Sequence, residues 1–307
     1  MSSIPTRISR PTAMARTDVR PPSDLLLEAR SLERAGCLPE AIERYEALIG
    51  LAGSVGQHSV LAEAMRRLAI VRHQRGGTAE ARELCRRSHE IARGIGNELL
   101  EAEAFNTLGC IDIQTGALDD ARRNFERALE LGAGSRELGA RAEQNLGVLA
   151  NIRGDLTEAL TRYRRSLDAY GATGNEHGCA IVFHSLGLVS ADRELWDEAQ
   201  AYFEKSREIA ERAGDVRLRG ACLMGIAKVQ LATQRFEDAR QGAESALSLF
   251  DQLGSPGEKS GAYRLLGVGY RETGRPALAE SRLRSAIELA TASSSKLNEA
   301  EATRELA

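Results

Sequence analysis

The sequence predicts an all-α solenoid, a stack of antiparallel helix pairs. Three observations predict it. A small residue recurs as Ala29, Ala69, Gly109, Gly147, Gly187, Ala227, Gly267 and Ala307, at steps of 40, 40, 38, 40, 40, 40 and 40 residues. Twelve residues after each of the first seven comes an alanine: Ala41, Ala81, Ala121, Ala159, Ala199, Ala239 and Ala279. Between each small residue and its alanine sits a turn position, occupied by Gly36, Gly76, Gly116, Gly154 and Gly274, with Glu194 and Gln234 at the other two. A fixed period carrying several matched columns is the mark of a helical repeat array.

The stretch Ala102–Gly132 shows the unit. Phe105, Leu108 and Ile111 recur every three residues, which places them on one side of a first helix. Gly109 lies among them and admits a close backbone or ring. A turn at Thr115–Leu118 leads to a second helix with Ala121, Phe125, Ala128 and Leu129 on its inner stripe. Helices this short depend on tertiary packing, so each pair needs its neighbours.

The elements follow in order. Residues 1–22 form a basic arm expected to be disordered: it has four arginines, one acid, prolines and no apolar core for a secretory signal. Residues 23–295 form seven tandem repeats. Second helices are expected to end near Gly56, Gly96, Gly134, Gly174, Gly214 and Gly254, where glycine suits a left-handed cap. Gln57, Asn97, Ser135, Asn175, Asp215, Ser255 and Ser295 follow, mostly good N-cap residues for the next first helix. The third repeat is two residues short near Leu131–Ser135, so its second helix should stop early. Pro39, Pro256 and Pro276 fall at helix starts, where proline is tolerated. Residues 296–307 match only the first helix of an eighth copy and serve either as that helix or as a cap. Because the match stops at its packing residue, the chain reads as the front of a longer polypeptide. That last helix is also a candidate surface for homo-oligomer formation.

Composition bounds the function. The net charge is −3, which gives no general attraction to nucleic acid or to an anionic membrane. No apolar run reaches the length of a membrane span. Cys37, Cys85, Cys110, Cys179 and Cys222 are an odd, scattered set that points to a reducing cytoplasm, with Cys85 and Cys222 as small buried hydrophobes.

Chemistry-bearing motifs are sparse. Glu176, His177, Cys179 and His184 form the most metal-like group, but seven residues along a helix is about 10.5 Å, too far for the two histidines to share one zinc ion. No metal or other cofactor is expected, and no nucleophile elbow or phosphate loop occurs, so an enzyme is not expected. Arg87, Arg127, Arg165 and Lys205 share one place on successive second helices, but Glu90, Glu130, Asp168 and Glu208 follow three residues later and should neutralise the stripe.

The columns resemble the tetratricopeptide repeat (TPR), carried here by Leu108-Gly109, Gly116, Leu118, Ala121, Phe125 and Ala128. The period resembles the forty-residue variant of bacterial regulators and animal polarity adaptors. The resemblance covers roughly Pro22 to Ala307 and implies a right-handed superhelix whose first helices line a concave groove. Three columns on the matching face vary in type from copy to copy. The first is Arg66, Asn106, Gln144, His184, Met224 and Arg264; the second includes Val148, Leu188 and Lys228; the third includes His73, Asn151, Leu231 and Arg271. A protein or peptide partner is expected there, centred on Val148, Ile152, Ile181, Leu188, Met224 and Leu231. Amides at Asn106, Gln144 and Asn151 would hold its backbone, and the flanking arginines would favour acidic ends. The Lys/Asn clamp of TPR domains that grip chaperone tails is missing, and Asn145 is a lone match to the polarity-adaptor type. The alternative expectation is the N-terminal sensor module of a larger bacterial signalling or transcriptional regulator, a class whose outputs bind DNA or cleave cyclic dinucleotides.

Overall fold

The computed structural model describes residues 21–293 and 295–307. Of the basic arm expected over residues 1–22, residues 1–20 lie outside the described residues, and Pro22 belongs instead to the first helix. Among the described residues there are fifteen α-helices and no strand. They alternate as first and second helices. The pairs are α1 (Pro22–Arg34) with α2 (Leu38–Ser54), α3 (His58–Gln74) with α4 (Thr78–Gly94), and α5 (Glu98–Thr115) with α6 (Leu118–Leu131). Next come α7 (Arg136–Ile152) with α8 (Leu156–Thr173), α9 (Glu176–Asp192) with α10 (Trp196–Ala213), and α11 (Val216–Ala232) with α12 (Phe236–Leu253). Finally α13 (Pro256–Glu272) pairs with α14 (Pro276–Ala292), and α15 (Lys296–Leu306) packs on both. The fold is an all-α solenoid.

Local chemistry sets the helix ends. Asn97, Ser135, Asn175 and Asp215 each accept a hydrogen bond from the backbone N–H three residues on, closing the starts of α5, α7, α9 and α11. Gln57 and Ser255 stand at the same place and make no such bond. Second helices close on glycines at positive φ, as at Gly174, Gly214 and Gly254. The shortened repeat departs as expected: α6 has 14 residues where α4 and α8 have 17 and 18. It ends on Gly132 at φ −84°, not on a left-handed Gly134. Glycine is needed at 132 for another reason, since a Cβ there would lie 2.6 Å from Leu138 Cδ2. The turn columns also separate: Glu194 and Gln234 are forced to φ 59° and 60°, where their neighbours in the column have glycine.

The interior is built by size matching between two columns. Gly109 faces Phe125, Gly147 faces Tyr163, Gly187 faces Phe203 and Gly267 faces Leu283; a Cβ on any of these glycines would come within 2.7 Å of the facing side chain. Where the first helix carries alanine, the partner is usually small, as in Ala69 with Cys85 and Ala227 with Ala243. The expectation that Cys85 and Cys222 are small buried hydrophobes is met, both being fully buried.

A second pair of columns joins the two helices of a repeat by buried hydroxyls. Ser88, Ser166 and Ser206 on second helices each donate to a first-helix carbonyl, those of Ala62, Ala140 and Ala180, at 2.7 Å. In the seventh repeat the direction reverses: Ser260 on α13 donates to the Ala286 carbonyl at 2.7 Å. A satisfied buried hydroxyl of this kind contributes about 1 kcal/mol.

First helices also touch the first helices of adjacent repeats, from α1 with α3 through to α13 with α15, whereas second helices meet chiefly their neighbours in sequence. The first helices therefore converge on the inner side of the stack, and their free faces form the inner surface.

Candidate functional site

The convergence of first helices decides what the three columns do. In the first column Arg66, Asn106 and Gln144 are 3%, 5% and 8% exposed. They lie in the seams between helices rather than on an open groove. Arg66 forms an ion pair with Glu103 on α5, and Arg141 on α7 approaches the same carboxylate at 3.6 Å. Burial pulls the Arg66 guanidinium below its ordinary range, with Glu103 acting against that loss. Burial would raise Glu103, but Arg66 and Arg141 outweigh it and hold the carboxyl low. Farther along, Asn145 donates to Asn106 Oδ1 at 2.9 Å and Gln144 donates to Ser185 Oγ at 3.3 Å. The amides at 106 and 144, expected to hold a partner backbone, are thus spent on joining α5 to α7 and α7 to α9. His184 is half-buried with its ring 5.5 Å from that of Phe203, and burial pushes its pKa down to about 4.

The second and third columns are more open. Val148 and Leu188 are half-buried, and Ile152, one turn farther along α7, is 50% exposed. Lys228 is exposed and meets Asp192 at 3.2 Å. Asn151, Leu231 and Met224 are half-buried. His73 turns toward the intra-repeat loop, with Nδ1 3.2 Å from Thr78 Oγ1. Arg264 and Arg271 are paired at 3.0 Å with Glu301 and Glu305 on α15. The arginines expected to select acidic ligand ends are therefore already neutralised, because converging first helices bring a carboxylate from one repeat against a cation of the next.

The sequence columns missed one feature. Between α11, α13 and α15 the inner surface opens into a cleft of about 460 Å³. Leu231, Phe236, Leu265 and Val268 supply its apolar walls, with Lys228, Arg264, Glu272 and Glu305 around the rim. Phe236 begins α12 and stands at one end of the cleft, but the same column carries Trp196 at the start of α10, so residue size in this column did not signal the cleft.

The remaining candidates resolve differently. Arg127 pairs with Glu130 at 2.9 Å as expected for a neutralised stripe, but Arg165 approaches Glu143 instead, at 3.6 Å. Lys205 lies 4.1 Å above the Phe183 ring. His177 meets Asp215 at 2.8 Å while His184 packs on Phe203, so the two histidines look to different neighbours. Among the described residues no group of three or more His, Cys, Asp or Glu side chains could hold a metal ion, and no helix is long and apolar enough to cross a membrane. Burial raises the thiols of Cys85, Cys110 and Cys222 to about 12, 11 and 11, which suppresses thiolate reactivity.

No curated protein matches the chain by sequence. Among solved structures, the apo form of RapI is similar over 88% of this chain and 97% of its own, at TM-score 0.60 and 17% identity. Yeast Tom70 is similar over 97% of this chain and 67% of its own, at TM-score 0.60 and 14% identity. A signal transduction ATPase with numerous domains (STAND) protein from Pyrococcus horikoshii, with a tetratricopeptide repeat sensor, matches over 91% of this chain at TM-score 0.59 and 15% identity. The chain spans 45% of the length of that protein. At these identities the likeness is one of fold. The tetratricopeptide repeat model matches residues 60–133, 138–211 and 178–252, together more than half of the chain. With the forty-residue period and the glycine-to-aromatic columns, this shows that the chain belongs to the tetratricopeptide repeat family.

Proposed function

We propose that the chain is a non-catalytic scaffold that binds a protein or peptide partner along the inner face of its first helices. The repeats of residues 23–295 form the binding array, and residues 296–307 add either the first helix of an eighth repeat or a capping helix. The observation that carries this reading is the open apolar row on the inner face: Ile152 is 50% exposed, and Val148, Leu188 and Leu231 are half-buried beside it on successive first helices. Extended inner surfaces are how solenoids bind. The test is a double variant, Ile152→Asp with Leu188→Asp, measured against a captured partner. It should keep the parent's far-UV circular dichroism and lose binding. Full affinity in a folded double variant would remove the groove as the site.

A second reading is favoured by one finding, the fold likeness to the STAND protein with a tetratricopeptide repeat sensor. In that reading the chain is the sensor part of a larger regulator in the cytoplasm. Reading the gene beyond codon 307 tests it: an immediate stop codon favours the free-standing scaffold. Self-association through α15 is part of the first reading, and sedimentation equilibrium tests it.

A further inference from the structure

We propose that the inner groove selects an uncharged, apolar segment of its partner, anchored by a large apolar side chain in the α11–α13–α15 cleft. This rests on the groove reading above and deepens it. Along the inner face of repeats two to seven the cations already have carboxylate partners on the neighbouring first helix. Arg66 and Arg141 share Glu103, Lys228 meets Asp192, and Arg264 and Arg271 meet Glu301 and Glu305. An acidic ligand would have to displace these carboxylates, exchanging one ion pair for another with little net gain, since partly exposed pairs are worth about 0–1 kcal/mol. Buried Arg66 is less available still, because removing Glu103 from it would leave an uncompensated charge in the seam.

What the surface offers unpaired is apolar. Ile152 and Leu188 lead along α7 and α9 toward Leu231 and Val268 at the cleft. At about 460 Å³ the cleft falls within the range of small-ligand sites, roughly 300–1,000 Å³. It is large enough for one aromatic or aliphatic side chain with part of its neighbours. Its walls carry Leu231, Phe236, Leu265 and Val268, and each rim charge already has a partner of opposite sign just outside the cleft: Lys228 has Asp192, Arg264 has Glu301, and Glu272 and Glu305 share Arg271. The complementary ligand is therefore a segment with one large apolar anchor, further apolar residues along the row, and no fixed charge between them. The amide of Asn151, half-buried beside this row and outside the seams that occupy Asn106 and Gln144, is placed to meet the ligand backbone.

A displayed library of random peptides, selected on the full chain, tests this directly. Selected peptides should share an aromatic or aliphatic anchor and further apolar residues, with no enrichment of Asp or Glu. Their Kd should change less than about threefold when NaCl is raised from about 0.1 M to about 1 M, which shortens the Debye length from about 10 Å to about 3 Å. Ile152→Asp, at an exposed position that does not threaten the fold, and Val268→Ser in the cleft should each weaken them by at least about tenfold. Acid-rich peptides that lose affinity steeply with salt, yet are also weakened by Ile152→Asp, would overturn the ligand chemistry and leave the groove reading standing. Peptides unaffected by either variant, or no selection above background, would overturn both.

Discussion

Replacing Phe203 is the sharpest probe of how the repeats hold together. Its ring fills two glycine gaps at once, one in its own repeat and one in the next. A Cβ on Gly187 would lie 2.7 Å from its Cδ1, and one on Gly225 would lie 2.6 Å from its Cε1. Phe203→Ala therefore empties a space shared by α9, α10 and α11, and truncations of this kind cost about 3–5 kcal/mol. Gly187→Ala acts in the opposite sense. In an open helix it would stabilise by roughly 1 kcal/mol, but here the new methyl meets the ring, and overpacking costs about 1–3 kcal/mol. The two together recreate the pairing of the following repeat, where Ala227 faces Ala243. The double variant should thus lose less than the sum of the singles, with a coupling of about 1–3 kcal/mol. Urea unfolding of the four proteins of the cycle, followed by circular dichroism, measures it. Nearest-neighbour stability in repeat arrays can broaden the transition, so equal slopes across the four are the control. Additivity within about 0.5 kcal/mol would refute the size-matching argument.

Other expectations are checked more simply. Glu194→Gly and Gln234→Gly relieve positive φ at the turns, and thermal unfolding should show each stabilising by roughly 0.5–1 kcal/mol, the left-handed strain exceeding the added chain entropy. His184 titrates near 6.5 when unfolded and at about 4 when folded, so the unfolded chain binds the proton first as pH falls. Stability from this group is complete above about pH 6.5, declines down to about pH 4, and totals roughly 2 kcal/mol after allowing for partial exposure. His184→Gln should flatten that slope in urea titrations at several pH values. Ala199 is fully buried, so Ala199→Arg forces a long charge into the contact between α9 and α10 and should lower stability by several kcal/mol; a parent-like melting temperature would contradict the repeat register.

The sequence alone determined the period, the helix order and the packing columns. Those features are written once per repeat, and each copy meets the same local requirement: a small residue at Gly187, an alanine at Ala199, a turn near Glu194. Repetition averages out the ambiguity of any one copy, which is why even the two-residue shortening before α7 was legible. Size matching between Gly109 and Phe125 was written there too, but only the stack shows that the two columns meet, since a Cβ on Gly109 would lie 2.5 Å from Phe125 Cε1. The tertiary structure decided what the inner face presents. Helical spacing set Arg66, Asn106 and Gln144 in one column of successive first helices, and the repeat resemblance assigned that column to the groove, yet neither carried information on how closely the first helices converge. That convergence turned three expected groove residues into seam residues and set Arg264 and Arg271 against α15. It also opened the cleft beside Phe236. A column of residues has a direction in sequence; whether it faces solvent or the next helix depends on interhelical distance, which only the assembled stack sets.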